Sequence, residues 1–137
     1  MPEHTFQLEV VTPDRVVLSD DEIVSVVAPG IEGYLGMLAN HAPLMGELKI
    51  GKLDLRRADG TSDAMAISGG FVEVFENTVT VLADSAELAE EIDVDRAERA
   101  KQRAEERIGS AATNIDFDRA HAALHRALNR LQVASKV

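Results

Sequence analysis

The pattern of the chain changes character near Asp84, and that change limits the architectures open to it. Up to that residue, short apolar segments alternate with polar ones and are separated by Gly, Pro, Asn and Asp. Period-two alternation in short runs with turn residues between them describes antiparallel strands that pack as a sandwich or barrel. Beyond it Ala, Glu and Arg dominate, and apolar residues recur at helical spacing. The charge shifts at the same place. Residues 1–84 hold 14 acidic and 5 basic side chains, and residues 85–137 hold 10 and 9. Two coincident changes predict an α+β chain: an antiparallel β-sandwich over 1–84, then a two-helix hairpin over 85–137.

In the first part, Phe6, Leu8 and Val10 alternate with Gln7 and Glu9, the pattern of a half-buried strand. Pro13-Asp14 predicts a turn, Arg15 to Leu18 a second strand, and Asp20-Asp21-Glu22 a solvated turn. Ile23 to Val27 reads as a third strand ended by Pro29-Gly30. Leu48 and Ile50 are followed by Leu53 and Leu55 in the opposite phase, so Gly51 between them marks a bulge or bend. Asp59-Gly60 signals a hairpin joining Leu53–Arg57 to Ala64–Ser68. Phe71 to Phe75 forms the next strand, and Glu76-Asn77 turns it into Val79 to Leu82.

Between Pro29 and Ile50 lies a stretch of a different kind. Gly30, Gly33 and Gly36 give the backbone access to positive φ, and Pro43 keeps Ala42 out of helical geometry. A rigid, glycine-punctuated loop suits the display of a surface to a partner; the plainer alternative is a strand connection. Gly33-x-Leu35-Gly36 followed by Asn40-His41-Ala42-Pro43-Leu44 resembles the signature of the epsilon subunit of F-type ATP synthases, called delta in mitochondria. Ser68-Gly69-Gly70-Phe71 and Val79 to Asp84 are similar to the sheet of the same family. The resemblance implies a sandwich of about ten strands in the rotating central stalk. It implies contact of Gly30 to Gly36, with Gly33, Tyr34 and Gly36, to the c-ring, and of His41, Pro43 and Leu44 to the gamma subunit. Tyr34 stands where members of the family often carry an acidic residue.

In the second part, Ile92-Asp93-Val94-Asp95-Arg96-Ala97 and Ile115-Asp116-Phe117-Asp118-Arg119-Ala120 share one pattern. The first Asp can cap a helix and the second suits the positive end of its dipole. Helices are predicted from here to about Ile108, where Gly109 ends the first, and from Phe117 to about Val133, with Ser110 to Asn114 as linker. Ala97, Ala100, Ala104 and Ile108 line one face of the first; Ala120, Leu124, Ala127, Leu128 and Leu131 line one face of the second. Alanine buries little area, so such a hairpin is weakly held and can detach or refold.

Arg96, Arg99, Arg103 and Arg107 form a second stripe on the first helix, and Arg119, Arg126 and Arg130 one on the second. Arginine stripes are commonly solvated and paired with Glu, but their guanidinium forks also suit phosphate. The Ile-Asp-x-x-Arg-Ala run at Ile92 to Ala97 resembles the nucleotide-binding motif of some bacterial epsilon subunits. Carried over by position, it implies Glu87, Asp93, Arg96, Arg103, Arg126 and Arg130 as contacts of a regulatory ATP, with no obligatory cofactor.

Other chemistries find little support. Cys is absent, which excludes thiolate chemistry and disulfides. His121 and His125 have the i, i+4 spacing of a helical zinc site, but Ala122 replaces the Glu of HExxH and no third ligand is evident, so no metal is expected. Neither a P-loop nor a serine elbow occurs, and no catalytic residue is assigned. A net charge of −10 and 4% aromatics disfavour nucleic acid and anionic membranes as direct partners. No basic start, leader or membrane span is legible. The resemblance implies a non-catalytic rotor subunit at the cytoplasmic face of the cell membrane. It would bind gamma and the c-ring and act on the catalytic alpha and beta subunits, meeting the membrane only through the complex. It further implies that the hairpin either folds against the sandwich or extends along gamma and blocks ATP hydrolysis. The competing classes are a free-standing adaptor with a ligand-sensing hairpin and, more remotely, a small hydrolase.

Overall fold

The computed structural model describes residues 4–110 and 116–135, in two compact units that divide between Leu88 and Ala89. Among the described residues, the first contains seven strands: β1 Phe6–Val11, β2 Val16–Gly30, β3 Gly33–Leu38, β4 Leu44–Arg57, β5 Ser62–Phe75, β6 Thr78–Ala83 and β7 Ala86–Leu88. They run in the order β1-β6-β5-β4-β2-β3; β7 pairs with β5, and β1 also pairs with β2, which closes the sheet on itself. Every pairing is antiparallel save that of β1 with β6, which is parallel in register from Gln7↔Thr78 to Val11↔Leu82. The expected antiparallel sandwich is present, with this one parallel pair within it. Strands at the two ends of the unit's sequence become neighbours, and no hairpin constrains their direction.

The seven strands also stand against the about ten implied by the resemblance, because β2, β4 and β5 are 14 or 15 residues each and change partners along their length. The segments expected as Arg15–Leu18 and Ile23–Val27 are one strand. Asp20, Asp21 and Glu22 do not turn the chain. They occupy a bulge where Phe6 faces Ile23 but Leu8 faces Asp20, so the strand absorbs an extra residue and continues. Ala64–Ser68 and Phe71–Phe75 likewise fuse into β5 through Gly69 and Gly70, at φ +91° and +120°. A side chain at Gly70 would collide with the carbonyl of Leu82 on β6, so only glycine permits that approach. The phase change around Gly51, expected as a bulge or bend, coincides with a bulge-type irregularity against β2: the β2–β4 register shifts between Val27↔Asp54 and Gly30↔Leu48.

Inward side chains of all the long strands fill one core, with Leu8, Ile23, Val26, Leu53, Met65, Ile67, Val72 and Val81 essentially inaccessible. One ion cluster ties three strands at its edge. Arg57 Nε donates to Asp20 Oδ2 at 2.7 Å, and its Nη2 lies 2.8 Å from Asp63 Oδ2. The hydrogen bond from Arg57, helped by the Glu22 amide, holds the Asp20 carboxyl below the usual carboxylate range.

The short β7 was hidden in sequence among residues grouped with the helices. Three residues are too few for alternation to register, yet Ala86, Glu87 and Leu88 pair with Ile67, Ala66 and Met65. The composition shift at Asp84 therefore precedes the division between the units.

The second unit holds a 3₁₀ turn, Ala89–Glu91, and two helices that pack on each other, α1 Val94–Ile108 and α2 Phe117–Ala134. Asp93 and Asp116 cap them as expected: each carboxylate accepts from the amide three residues on, Arg96 and Arg119, at 3.0 Å. Gly109 ends α1 in ordinary right-handed geometry, φ −78°, so its glycine freedom is not used. Of the expected apolar faces, Ala97, Ala104, Ala120 and Ala127 are buried. Leu128 is 43% exposed, and Val133, absent from the expected face, is fully buried. The linker residues 111–114 and Ile115 lie outside the described residues.

Candidate partner surface and nucleotide-binding residues

The six residues expected at a partner surface all lie in the first unit, around the β2–β3 turn and the β3–β4 corner. Gly33, at φ +137°, reverses the chain so that Tyr34 faces Pro29 and Gly36 faces Val27 across the hairpin. The Ile31 amide donates to the Glu47 carbonyl at 2.9 Å, which fastens the turn to β4. Between the turn and β4 runs an open groove with Gly33, Tyr34, Leu35, Leu44 and Met45 on its walls. A second recess adjoins it, lined by Pro43, Leu44, Met45, Glu73, Val74 and Phe75. Leu44 and Met45 belong to both, so the two form one continuous surface.

Gly36 and His41 line neither recess. A side chain at Gly36 would point into open space, and His41 is exposed, its Nδ1–H donating to the Ala42 carbonyl at 2.7 Å. That bond stiffens the corner before Pro43. The surface is more apolar than the expected residues imply. Ile31, Tyr34, Met45 and Phe75 are 55%, 66%, 70% and 56% exposed. Met45 and Phe75 join this surface beyond the expected residues, and strand phase signals them: Val74 is buried, so its neighbour Phe75 must face outward. Large apolar side chains clustered in solvent mark an interaction face more often than chance exposure does.

The residues expected at ATP are divided. Glu87 sits on β7 in the first unit, and Asp93, Arg96, Arg103, Arg126 and Arg130 belong to the second. Arg96 and Arg103 lie two turns apart on one exposed face of α1. Arg126 and Arg130, one turn apart on α2, are half-buried. Asp93 spends its Oδ1 on the Arg96 amide. Asp116 does the same for Arg119, so the shared pattern has a complete local explanation in capping. Both His121 and His125 are exposed, and no group of three or more metal-ligating side chains converges among the described residues. No described helix is long and apolar enough to cross a membrane.

A closed β-sandwich followed by a capped pair of alanine-lined helices makes a two-part chain. Two family models divide it the same way: ATP synthase, Delta/Epsilon chain, beta-sandwich domain over residues 5–89, and its long alpha-helix domain over residues 90–135. The chain belongs to the ATP synthase delta/epsilon chain family. An ATP synthase epsilon chain of Pelotomaculum thermopropionicum is 54% identical over 136 residues, 99% of this chain and 100% of that one. That of Syntrophomonas wolfei is 56% identical over 108 residues, 79% and 78% of the two chains. In fold, the chain is similar to one in the Euglena gracilis mitochondrial ATP synthase, an OSCP/F1/c-ring structure. The TM-score is 0.80 at 24% identity, covering 97% of this chain and 82% of that one. A chain of the Tetrahymena thermophila mitochondrial central stalk and c-ring gives 0.59 at 17% identity, covering 99% and 98%.

Proposed function

We propose that the chain is a non-catalytic central-stalk subunit of an F-type ATP synthase, seated between gamma and the c-ring by its apolar rim. The rim of Ile31, Tyr34, Met45 and Phe75 carries this reading, because it offers solvent-exposed apolar area held on a rigid sheet. Docking there joins a sandwich that cannot easily deform to the rotating parts, so torque passes through it toward the catalytic alpha and beta subunits. Membrane association then arises through the complex, at its cytoplasmic side.

The helical unit is the regulatory part of the proposal. Of the buried side chains described on α1 and α2, four are alanine and one is Val133, so little apolar area holds the helices together, and a competing partner can open them. Extension along gamma would restrain ATP hydrolysis, and ATP held by Arg96, Arg103, Arg126 and Arg130 would favour the folded pair.

The native chain contains no cysteine, so single cysteines report position cleanly. A cysteine at Tyr34 is expected to crosslink to the c-ring in the assembled enzyme, and one at His41 to gamma. Crosslinks from both positions only to the outer stator would overturn the orientation.

A further inference from the structure

We propose that Asn77 is the positioning residue for the Asn40–Leu44 corner and, through it, for the apolar patch of Pro43, Met45 and Phe75. Glu76 and Asn77, at φ 48° and 59°, form the tight turn between β5 and β6. From that turn Asn77 reaches segments 37 and 72 residues away in sequence. Its Oδ1 accepts from the Asn40 amide at 2.7 Å, and its Nδ2 donates to the Thr5 carbonyl at 3.0 Å. Its own carbonyl accepts from the Gln7 amide at 3.2 Å.

Asn40 is itself left-handed, at φ 62°, where the chain leaves β3 for the corner. A residue in that conformation aims its amide in one direction, and Oδ1 of Asn77 stands there as acceptor. The far end of the corner is held by Leu44 pairing with Val74 on β5. That same strand ends at Phe75, next to the Asn77 turn. Both ends of the corner are therefore referred to one strand, and Pro43, Met45 and Phe75 are kept in a fixed relation. Asparagine joins tolerance of positive φ to an acceptor and a donor on one short side chain. Glycine keeps the turn but loses both bonds. Aspartate keeps the acceptor for Asn40 and loses the donor to Thr5.

The functional half of the inference rests on reading the rim as the seat of gamma, so the test separates the two. The chain and its Asn77→Asp and Asn77→Gly variants are compared by amide exchange at Asn40 and by binding to purified gamma subunit. In Asn77→Gly, exchange at Asn40 should rise about ten-fold, as loss of one hydrogen bond allows. Gamma affinity should fall by about as much, while exchange at Val72 and Val74 stays unchanged. Asn77→Asp should rescue both readouts to within about two-fold of the native chain. In that variant the Asn40 amide proton resonance should follow a carboxylate titration larger than any in the parent, a readout that needs no glycine variant to fold. Unchanged exchange at Asn40 in Asn77→Gly, or no rescue and no titration in Asn77→Asp, overturns the assignment. If exchange responds as expected but the native chain does not bind gamma, Asn77 still positions the corner and the partner reading fails.

Discussion

At the scale of single residues, Arg57 joins distant segments by charge. Its guanidinium meets Asp20 from β2 and Asp63 from β5, with all three side chains between 19% and 31% accessible. Partial exposure tempers the Coulombic gain, but the short charge-assisted bonds remain directional. Arg57→Gln should lower stability by about 1–2 kcal/mol at neutral pH, read by urea unfolding. The sign of the pH dependence follows from Asp20, whose carboxyl is held below its usual range in the folded chain. Its contribution is complete above the unfolded value of about 4 and is lost as pH falls through the depressed folded value. The gap between native chain and variant should therefore narrow as pH falls from neutral to below the carboxylate range. A gap that stays constant would show that the cluster is electrostatically idle.

At the scale of elements, the two helix caps and β7 make separable contributions. Asp93→Ala and Asp116→Ala should each remove about 1 kcal/mol from the helical unit and nothing from the sandwich. Loss of helical ellipticity with unchanged exchange in β5 is the expected pattern; an effect of Asp93→Ala far beyond that of Asp116→Ala would reveal a role besides capping. For β7, a chain ending at Leu88 should match the intact sandwich in denaturant. One ending at Asp84 loses the pairing of Ala86–Leu88 with Met65–Ile67 and the bond from the Ser68 amide to the Ser85 carbonyl. It should be less stable by about 1–2 kcal/mol. Equal midpoints would place the working boundary at Asp84. Helix starts were legible because a cap is local: Asp93 and Asp116 meet their own amides three residues on. The strand β7 was not, because its partner lies far back in β5 and its own residues carry no period.

At the scale of the whole molecule, the proposed link is between ATP and the state of the helical unit. If ATP binds only the folded pair, it stabilises that pair by RT ln(1 + [L]/Kd), about 2.7 kcal/mol at 100 times Kd. That is large against the small apolar area buried by Ala97, Ala104, Ala120 and Ala127. Titration of the isolated chain should therefore raise its melting temperature, and Arg103→Ala and Arg126→Ala should each weaken the effect. No saturable binding at millimolar ATP, or equal binding by both variants and the native chain, would leave the arginines as solvated surface.

Features written in neighbouring residues could be read from the chain alone. Alternation and turn residues specify strands and hairpins such as Asp59-Gly60, Asp caps specify the helix starts, and the change in pattern separates sandwich from helices. The family was legible as well, through Gly33 to Leu44 and the Ser68-Gly69-Gly70 turn. Tertiary structure decided what depends on residues far apart along the chain. It set β1 parallel to β6, carried β2 straight through Asp20-Asp21-Glu22, and turned Met45 and Phe75 into the rim with Tyr34. The reason is physical: a strand's partner and the solvent exposure of its outer face are set by which distant segments meet it, and no local preference encodes that meeting.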